Sequence, residues 1–147
     1  MQIKRYKPLV DKLYWFISIP TFILLAATTA LTAIDAPAIL FITIPIDVFC
    51  IYFLVTTLFG YVEIREETLF IKFGLIMKKE IPYSKIRAAV MDRRFYSESM
   101  MSLKNALEHV NIKYNTFDIV TVSVIDNDGL INDINSCISK VQTPQPK

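Results

Sequence analysis

Two apolar runs stand back to back near the start of this chain: LYWFISIPTFILLAATTALTAI (residues 13–34) and AILFITIPIDVFCIYFLVTTLF (residues 38–59), with only Asp35-Ala36-Pro37 between them. Each is about 22 residues long, the length an α-helix needs to cross a hydrocarbon core of about 30 Å. A three-residue break ending in proline turns the second run back along the first. The two make an antiparallel helical hairpin, which removes most soluble-enzyme classes at once. Ala26, Ala27 and Ala30, with Thr28 and Thr29, keep the first run small-sided, so the helices can approach closely. Pro20 and Pro45 lie inside the runs and are expected to kink them or loosen a turn.

Charge sets an expected orientation. Lys4, Arg5, Lys7 and Lys12 precede the first run, the turn carries no Lys or Arg, and Arg65, Lys72, Lys78 and Lys79 follow the second. Cations gather on the cytoplasmic side. Both termini are therefore expected in the cytoplasm, with the tight turn outside and the protein crossing the membrane twice. A cleaved signal peptide over residues 1–33 is the competing expectation, although its apolar run exceeds the usual h-region of about 7–15 residues. Tyr14, Trp15 and Tyr61 fall where aromatic rings favour the headgroup level.

Composition separates two populations. The chain of 147 residues is 53% hydrophobic with a mean hydropathy of +0.40. From Gly60 onward it holds 12 Lys/Arg and 11 Asp/Glu. So balanced a domain lacks the basic stripe of a nucleic-acid binder. Under 90 residues can bury one modest core. Cys50 and Cys137 do not form a disulfide framework, and a cytoplasmic domain keeps thiols reduced. His109 is the sole histidine, with no cysteine near it, so neither a metal nor another cofactor is expected.

After Gly60 the periodicity switches to two. Tyr61-Val62-Glu63-Ile64-Arg65 alternates, and Glu66-Glu67-Thr68 turns. Leu69, Ile71 and Phe73 alternate with Phe70 and Lys72 until Gly74. Residues 78–81 and 86–91 read as further strands. Residues 93–105 read as an irregular connection, followed by strands at 110–114 and 118–124. Leu130, Ile134, Ile138 and Val141 then fall on one helix face, with Asp126 or Asp128 available as N-cap. The expected domains are a basic cytoplasmic arm (1–12), a transmembrane hairpin (13–34 and 38–59), a soluble domain (60–141) of about six strands and a closing helix, and a tail (142–147).

That order is the order of a pleckstrin-homology (PH) domain, and the residues resemble the bacterial YyaB-like PH family. The resemblance rests on Tyr61-Val62-Glu63-Ile64 through Leu69-Phe70-Ile71-Lys72-Phe73-Gly74, on Lys78-Lys79-Glu80-Ile81-Pro82-Tyr83-Ser84-Lys85-Ile86, on Val110-Asn111-Ile112-Lys113-Tyr114, and on Val122-Ser123-Val124-Ile125-Asp126 with Leu130-Ile131-Asn132-Asp133-Ile134. It implies an α+β membrane protein: a two-helix hairpin leading into a PH-like β-sandwich or barrel closed by a C-terminal helix. It also implies a non-catalytic binding or scaffold role at the cytoplasmic face. Because the family includes a bacteriocin immunity protein of the sublancin type, self-immunity of a producer cell is the alternative. The family often carries Pro-Ala-Leu-Ser and an Arg where this chain has Met100-Met101-Ser102-Leu103 and His109. Phosphoinositide-binding PH domains carry a basic first hairpin, whereas this one is Arg65-Glu66-Glu67.

Three features are candidates for function. Asp47 sits near the middle of the second run, where an ionisable group is costly and marks a functional site. It either contacts a membrane partner or peptide, or is satisfied by hydrogen bonds from Thr28, Thr29 or Thr43 within the hairpin or across a dimer. Lys78, Lys79, Lys85, Arg87, Arg93 and Arg94 either touch the anionic leaflet or lie on solvated strand faces. Met100, Met101 and Ser102 either offer an adaptable contact surface or plug the end of the sheet. Ser97, Ser99 or Ser102 with His109 and Asp92 has no spacing that supports a triad, and catalysis is not expected. The expected partners are the bilayer and a protein or peptide, with a second copy of the chain as an alternative, but no nucleic acid.

Overall fold

The computed structural model describes residues 3–97, 99 and 101–142. Helix α1 (Lys12–Asp35) starts at Asp11, whose carboxylate accepts the Leu13 and Tyr14 N–H groups at 2.9 and 3.2 Å. Such a cap satisfies donors that the first turn leaves orphaned. A short 3-10 turn over Pro37–Ile39 leads into α2 (Leu40–Thr56). The helices continue past Pro20 and Pro45 although each proline leaves one rung of the ladder without a donor, so neither proline ends its helix. Threonine hydroxyls on α1 bond back to carbonyls one turn earlier, Thr21 to Ile17 at 2.7 Å and Thr32 to Thr28 at 2.8 Å. That is how a polar side chain is accommodated on an apolar helix. Helix α1 and the helical stretch Pro37–Phe59 are long and apolar enough to cross a membrane, and few of their residues are buried by the chain itself.

The chain then builds two four-stranded sheets. The first has the order β1-β2-β3-β4, all antiparallel, from Lys4–Tyr6, Tyr61–Ile64, Thr68–Lys72 and Lys78–Pro82. The second has the order β5-β7-β8-β6, from Ile86–Arg93, Glu108–Tyr114, Asp118–Val122 and Ser102–Leu103. Its edge strand β6 runs parallel to β8. Between the sheets lie Val62, Ile64, Leu69, Ile71 and Ile81 from one and Val110, Ile112, Val120 and Val122 from the other. Helix α3 (Asn127–Gln142) closes the core with Leu130, Ile134, Cys137 and Ile138. Asp126 caps it, accepting the Gly129 N–H at 2.8 Å. Val141, expected on the buried face, is half exposed.

The largest correction concerns the N-terminus. Residues expected to be a basic arm are an edge strand: Lys4, Arg5 and Tyr6 pair with Ile64, Glu63 and Val62. The chain then crosses to the second sheet, where Pro8 bridges Val124 and Val10 bridges Asn105. The helical hairpin is thus inserted between two neighbouring strands of one sheet, and both its ends emerge on the same side. Three residues are too few to show a period of two, and the partner strand lies far along the chain. Side chains hold β1 in place. Glu63, with its side chain 7% exposed, lies between Arg5 at 2.6 Å and Arg65 at 3.1 Å. Burial pushes the Glu63 carboxyl up, but the hydrogen bonds from Arg5 and Arg65 outweigh it and leave it below the usual glutamate value. Asp133 on α3 takes the Lys4 ammonium at 2.8 Å and the Tyr6 hydroxyl at 2.6 Å.

Candidate functional site

The hairpin meets the domain through a set of specific contacts. Gly74 has φ +125°, a conformation that side-chain-bearing residues rarely adopt. A Cβ there would also lie 2.2 Å from the Thr56 Oγ1 and 2.5 Å from the Thr56 carbonyl oxygen. The glycine therefore lets the β3–β4 turn sit against the last residue of α2, where the Leu75 N–H donates to the Thr56 hydroxyl at 3.1 Å. The Asn105 amide donates to the Thr57 carbonyl at 3.1 Å, satisfying a group that the helix end leaves open. Asp11 takes the Leu107 N–H at 3.0 Å as well as capping α1. Both helix ends are thereby hydrogen-bonded to the 105–107 segment.

A cleft of about 250 Å³ opens at this junction, between Tyr52, Phe53 and Thr56 of α2 and Phe73, Met77, Met101 and Ser102 of the domain. Met101 is half-buried against the core, and its carbonyl accepts the Ser99 hydroxyl at 2.8 Å. Its thioether is 3.9 Å from the Lys79 ammonium. The Ser102 hydroxyl is shielded from solvent and has no hydrogen-bond partner among the described residues. Met100 lies outside the described residues. A second cavity of about 170 Å³ lies between Leu13, Tyr14 and Leu54 of the hairpin and Phe95, Lys104 and Leu107. Burial pushes the Lys104 ammonium below the usual lysine value, and it donates to the Tyr96 carbonyl at 2.8 Å.

Asp47 meets one of its three expected partners, the Thr29 hydroxyl of the facing helix. The same hydroxyl lies 3.0 Å from the Leu25 carbonyl. One hydroxyl carries one hydrogen. That hydrogen is shared between two acceptors, the Asp47 carboxyl and the Leu25 carbonyl. The carboxyl borders a groove with Phe22, Ala26, Ala30 and Ile51 that opens sideways between the helices.

The six cations do not form one patch. Lys78 pairs with Lys72 at the hairpin side of the first sheet. Lys79 turns inward, its ammonium bonded to the Tyr114 hydroxyl and 4.7 Å from that ring's centre. Arg93 pairs with Glu108, and Arg94 lies 3.3 Å from Asp92, near the hairpin end of the second sheet. Lys85 and Arg87 lie at the opposite end, against the 115–116 turn. Seven residues of extended strand separate Ile86 from Arg93, about 23 Å at 3.3 Å per residue.

A buried polar cluster on the second sheet escaped the sequence. His109 is fully buried, with Nδ1 2.8 Å from the Leu107 carbonyl and Nε2, which has no hydrogen-bond partner among the described residues, 4.0 Å from Asp92. Asn111 donates to Asp92 at 3.3 Å and accepts the Thr121 hydroxyl at 2.7 Å. These residues alternate with the core positions and so read as a solvent face. The buried Asn105 and Ala106 show how closely the connection ahead of β7 packs on the domain. Ser97 and Ser99 spend their hydroxyls on neighbouring carbonyls and Ser102 reaches no partner among the described residues, so His109 and Asp92 acquire no serine.

Residues 60–136 match the family model of the bacterial PH domain, which covers more than half of the chain. The chain belongs to the bacterial PH domain family. PH domains are generally non-catalytic modules that bind lipids or proteins, so the chain carries a binding fold. In this PH domain the match begins just after the hairpin and leaves out β1, the strand that precedes it. Its first hairpin after the match begins turns at Arg65-Glu66-Glu67, on the side away from the helices. No curated protein and no solved structure matches the chain.

Proposed function

We propose that the chain is a membrane-anchored binding module: the hairpin spans the bacterial cell membrane with both termini cytoplasmic, and the PH domain receives a protein or peptide partner in the junction cleft. The observation that carries the proposal is the cleft walled by Met101, Met77 and Phe73 and lined by Ser102, whose shielded hydroxyl has no partner among the described residues. A buried polar group left unsatisfied costs about 1–3 kcal/mol, which a bound partner's donor or acceptor would recover. Methionine side chains adapt to varied surfaces. Spanning is supported by the length of both helices and by apolar surfaces that the chain leaves uncovered, Phe41 and Ile34 among the most exposed. The paired strands β1 and β2 put the two flanks of the hairpin on one side, in keeping with the charge distribution.

Self-immunity against a bacteriocin, suggested by the YyaB-like resemblance, is the second reading. What favours it is the groove at Asp47, open to a peptide lying within the bilayer. One experiment separates the two. A photoreactive residue is placed at Met101 and, separately, at Ile51 beside Asp47, in native membranes, and adducts are read by mass spectrometry. A protein or peptide captured at Met101 supports the binding module. A small peptide captured at Ile51, and lost on Asp47→Asn, supports immunity. Self-adducts alone at both positions would show that these surfaces build a homo-oligomer, and would overturn both.

A further inference from the structure

We infer that the β3–β4 turn, residues 74–77, inserts into the lipid leaflet beside the end of α2 and seats the PH domain on the bilayer. The inference rests on the proposed span of the hairpin. Turns ordinarily carry Gly, Asn, Asp, Ser or Pro. This one follows its glycine with Leu75, Ile76 and Met77, which are 51, 75 and 52% exposed. Three consecutive apolar side chains at a turn tip thus leave half or more of their surface uncovered by the chain.

The position of the turn says what covers them. Its backbone is tied to Thr56, the last residue of α2, through the Leu75 N–H and the close approach of Gly74. Two residues earlier the Leu54 carbonyl accepts the Tyr14 hydroxyl, beside Trp15. A Tyr–Trp pair at a helix end marks the headgroup level. The turn tip thus lies at the depth where an apolar surface element beds about 5–10 Å into the headgroup and acyl boundary. At the base of the turn Lys72 and Lys78 face each other across the ladder. Like charges directly opposite are unfavourable in a sheet, and anionic headgroups relieve that repulsion. Across the junction the exposed Phe95 lines the cavity against Leu13 and Tyr14, giving the domain a second apolar contact at the same level. The acidic turn Arg65-Glu66-Glu67, at the other end of the same strands, faces away.

The test uses the full chain in vesicles of phosphatidylethanolamine and phosphatidylglycerol. Trp15 is the only tryptophan, so Trp15→Phe gives a background for single-tryptophan variants: Ile76→Trp in the turn, Phe49→Trp within α2, and Phe117→Trp in the 92% exposed β7–β8 turn. Quenching is read with lipids brominated at defined depths. The expected result is loss of most Ile76→Trp emission with bromine near the headgroup, no loss for Phe117→Trp, and weaker Ile76→Trp quenching when phosphatidylglycerol is replaced by phosphatidylcholine. An unquenched, solvent-exposed Ile76→Trp beside a quenched Phe49→Trp overturns the inference and leaves the span standing. An unquenched but blue-shifted Ile76→Trp overturns it in favour of a protein cover. If Phe49→Trp is also unquenched, the span itself fails and this inference with it.

Discussion

Replacing Tyr6 with alanine tests whether the N-terminal residues belong to the folded domain. Tyr6 is 5% exposed, sits in the core opposite Val62, and gives its hydroxyl to Asp133 at 2.6 Å. Truncating a buried aromatic to alanine costs about 3–5 kcal/mol. The hydroxyl's share, read separately from Tyr6→Phe, is about 1 kcal/mol. An arm in solvent would instead lose no more than about 0.5 kcal/mol. Cys137, at 4% exposure in the core face of α3, serves as the reporter. In a Cys50→Ser background, its modification by a maleimide in detergent and rising urea follows opening of the domain alone. With a urea slope of about 1–3 kcal/mol per molar, Tyr6→Ala should lower the midpoint by roughly 1–5 M and Tyr6→Phe by a fraction of that. A Tyr6→Ala midpoint indistinguishable from the parent would refute β1 as a working strand and return residues 4–6 to solvent.

Acid should weaken the same region. Glu63 and Asp133 both sit below their usual values in the folded state, so their contribution is complete above the ordinary carboxyl range and is lost as pH falls through the folded values. The urea midpoint should therefore drop between pH 6 and pH 3, and less steeply in Glu63→Gln. Gly74→Ala should destabilise the junction by about 1–3 kcal/mol through backbone strain alone. Adding Thr56→Ala removes one clash but not the strain, so the double variant should stay below the parent in thermal unfolding. In the hairpin, a double-mutant cycle on Thr29→Val and Asp47→Leu in mixed micelles should return a coupling of about 0.6–1.7 kcal/mol; zero coupling would mean that the pair makes no contact.

The hairpin was legible because two adjacent apolar runs of spanning length, almost free of charge, exceed what a domain of this size can bury. The strands at β2, β3, β7 and β8 were legible because their alternation lasts four residues or more. What escaped shares a cause: it depends on partners distant in sequence. Strand β1 is three residues, and β6 is two residues pairing in parallel with a strand formed later. The polar face of His109, Asn111 and Thr121 has the pattern of a wet face and is buried nonetheless. The cations between Lys78 and Arg94 looked like one cluster in the sequence, but strand reversal carries Lys85 and Arg87 to the far end. Asp47 stood out as a lone acid in an apolar run, and its partner Thr29 was one of the two threonines that antiparallel packing brought near it, Thr43 being one turn back on the same helix.

The interruption of one sheet by the hairpin has a consequence for biosynthesis. Strand β1 leaves the ribosome first and has nothing to pair with until both apolar helices and Gly60 have followed. With the helices across a bilayer, the pairing of Tyr6 with Val62 requires that the chain go out and come back. A nascent chain in which only one helix threads the membrane leaves β1 on one side and the rest of the sheet on the other. Such a product keeps Val62 and Ile64 on a bare edge strand, the kind of surface that aggregates and that proteases find. If the hairpin spans the membrane as proposed, completion of the sheet would act as a proofreading step on insertion, linking survival of the domain to correct threading of the two helices.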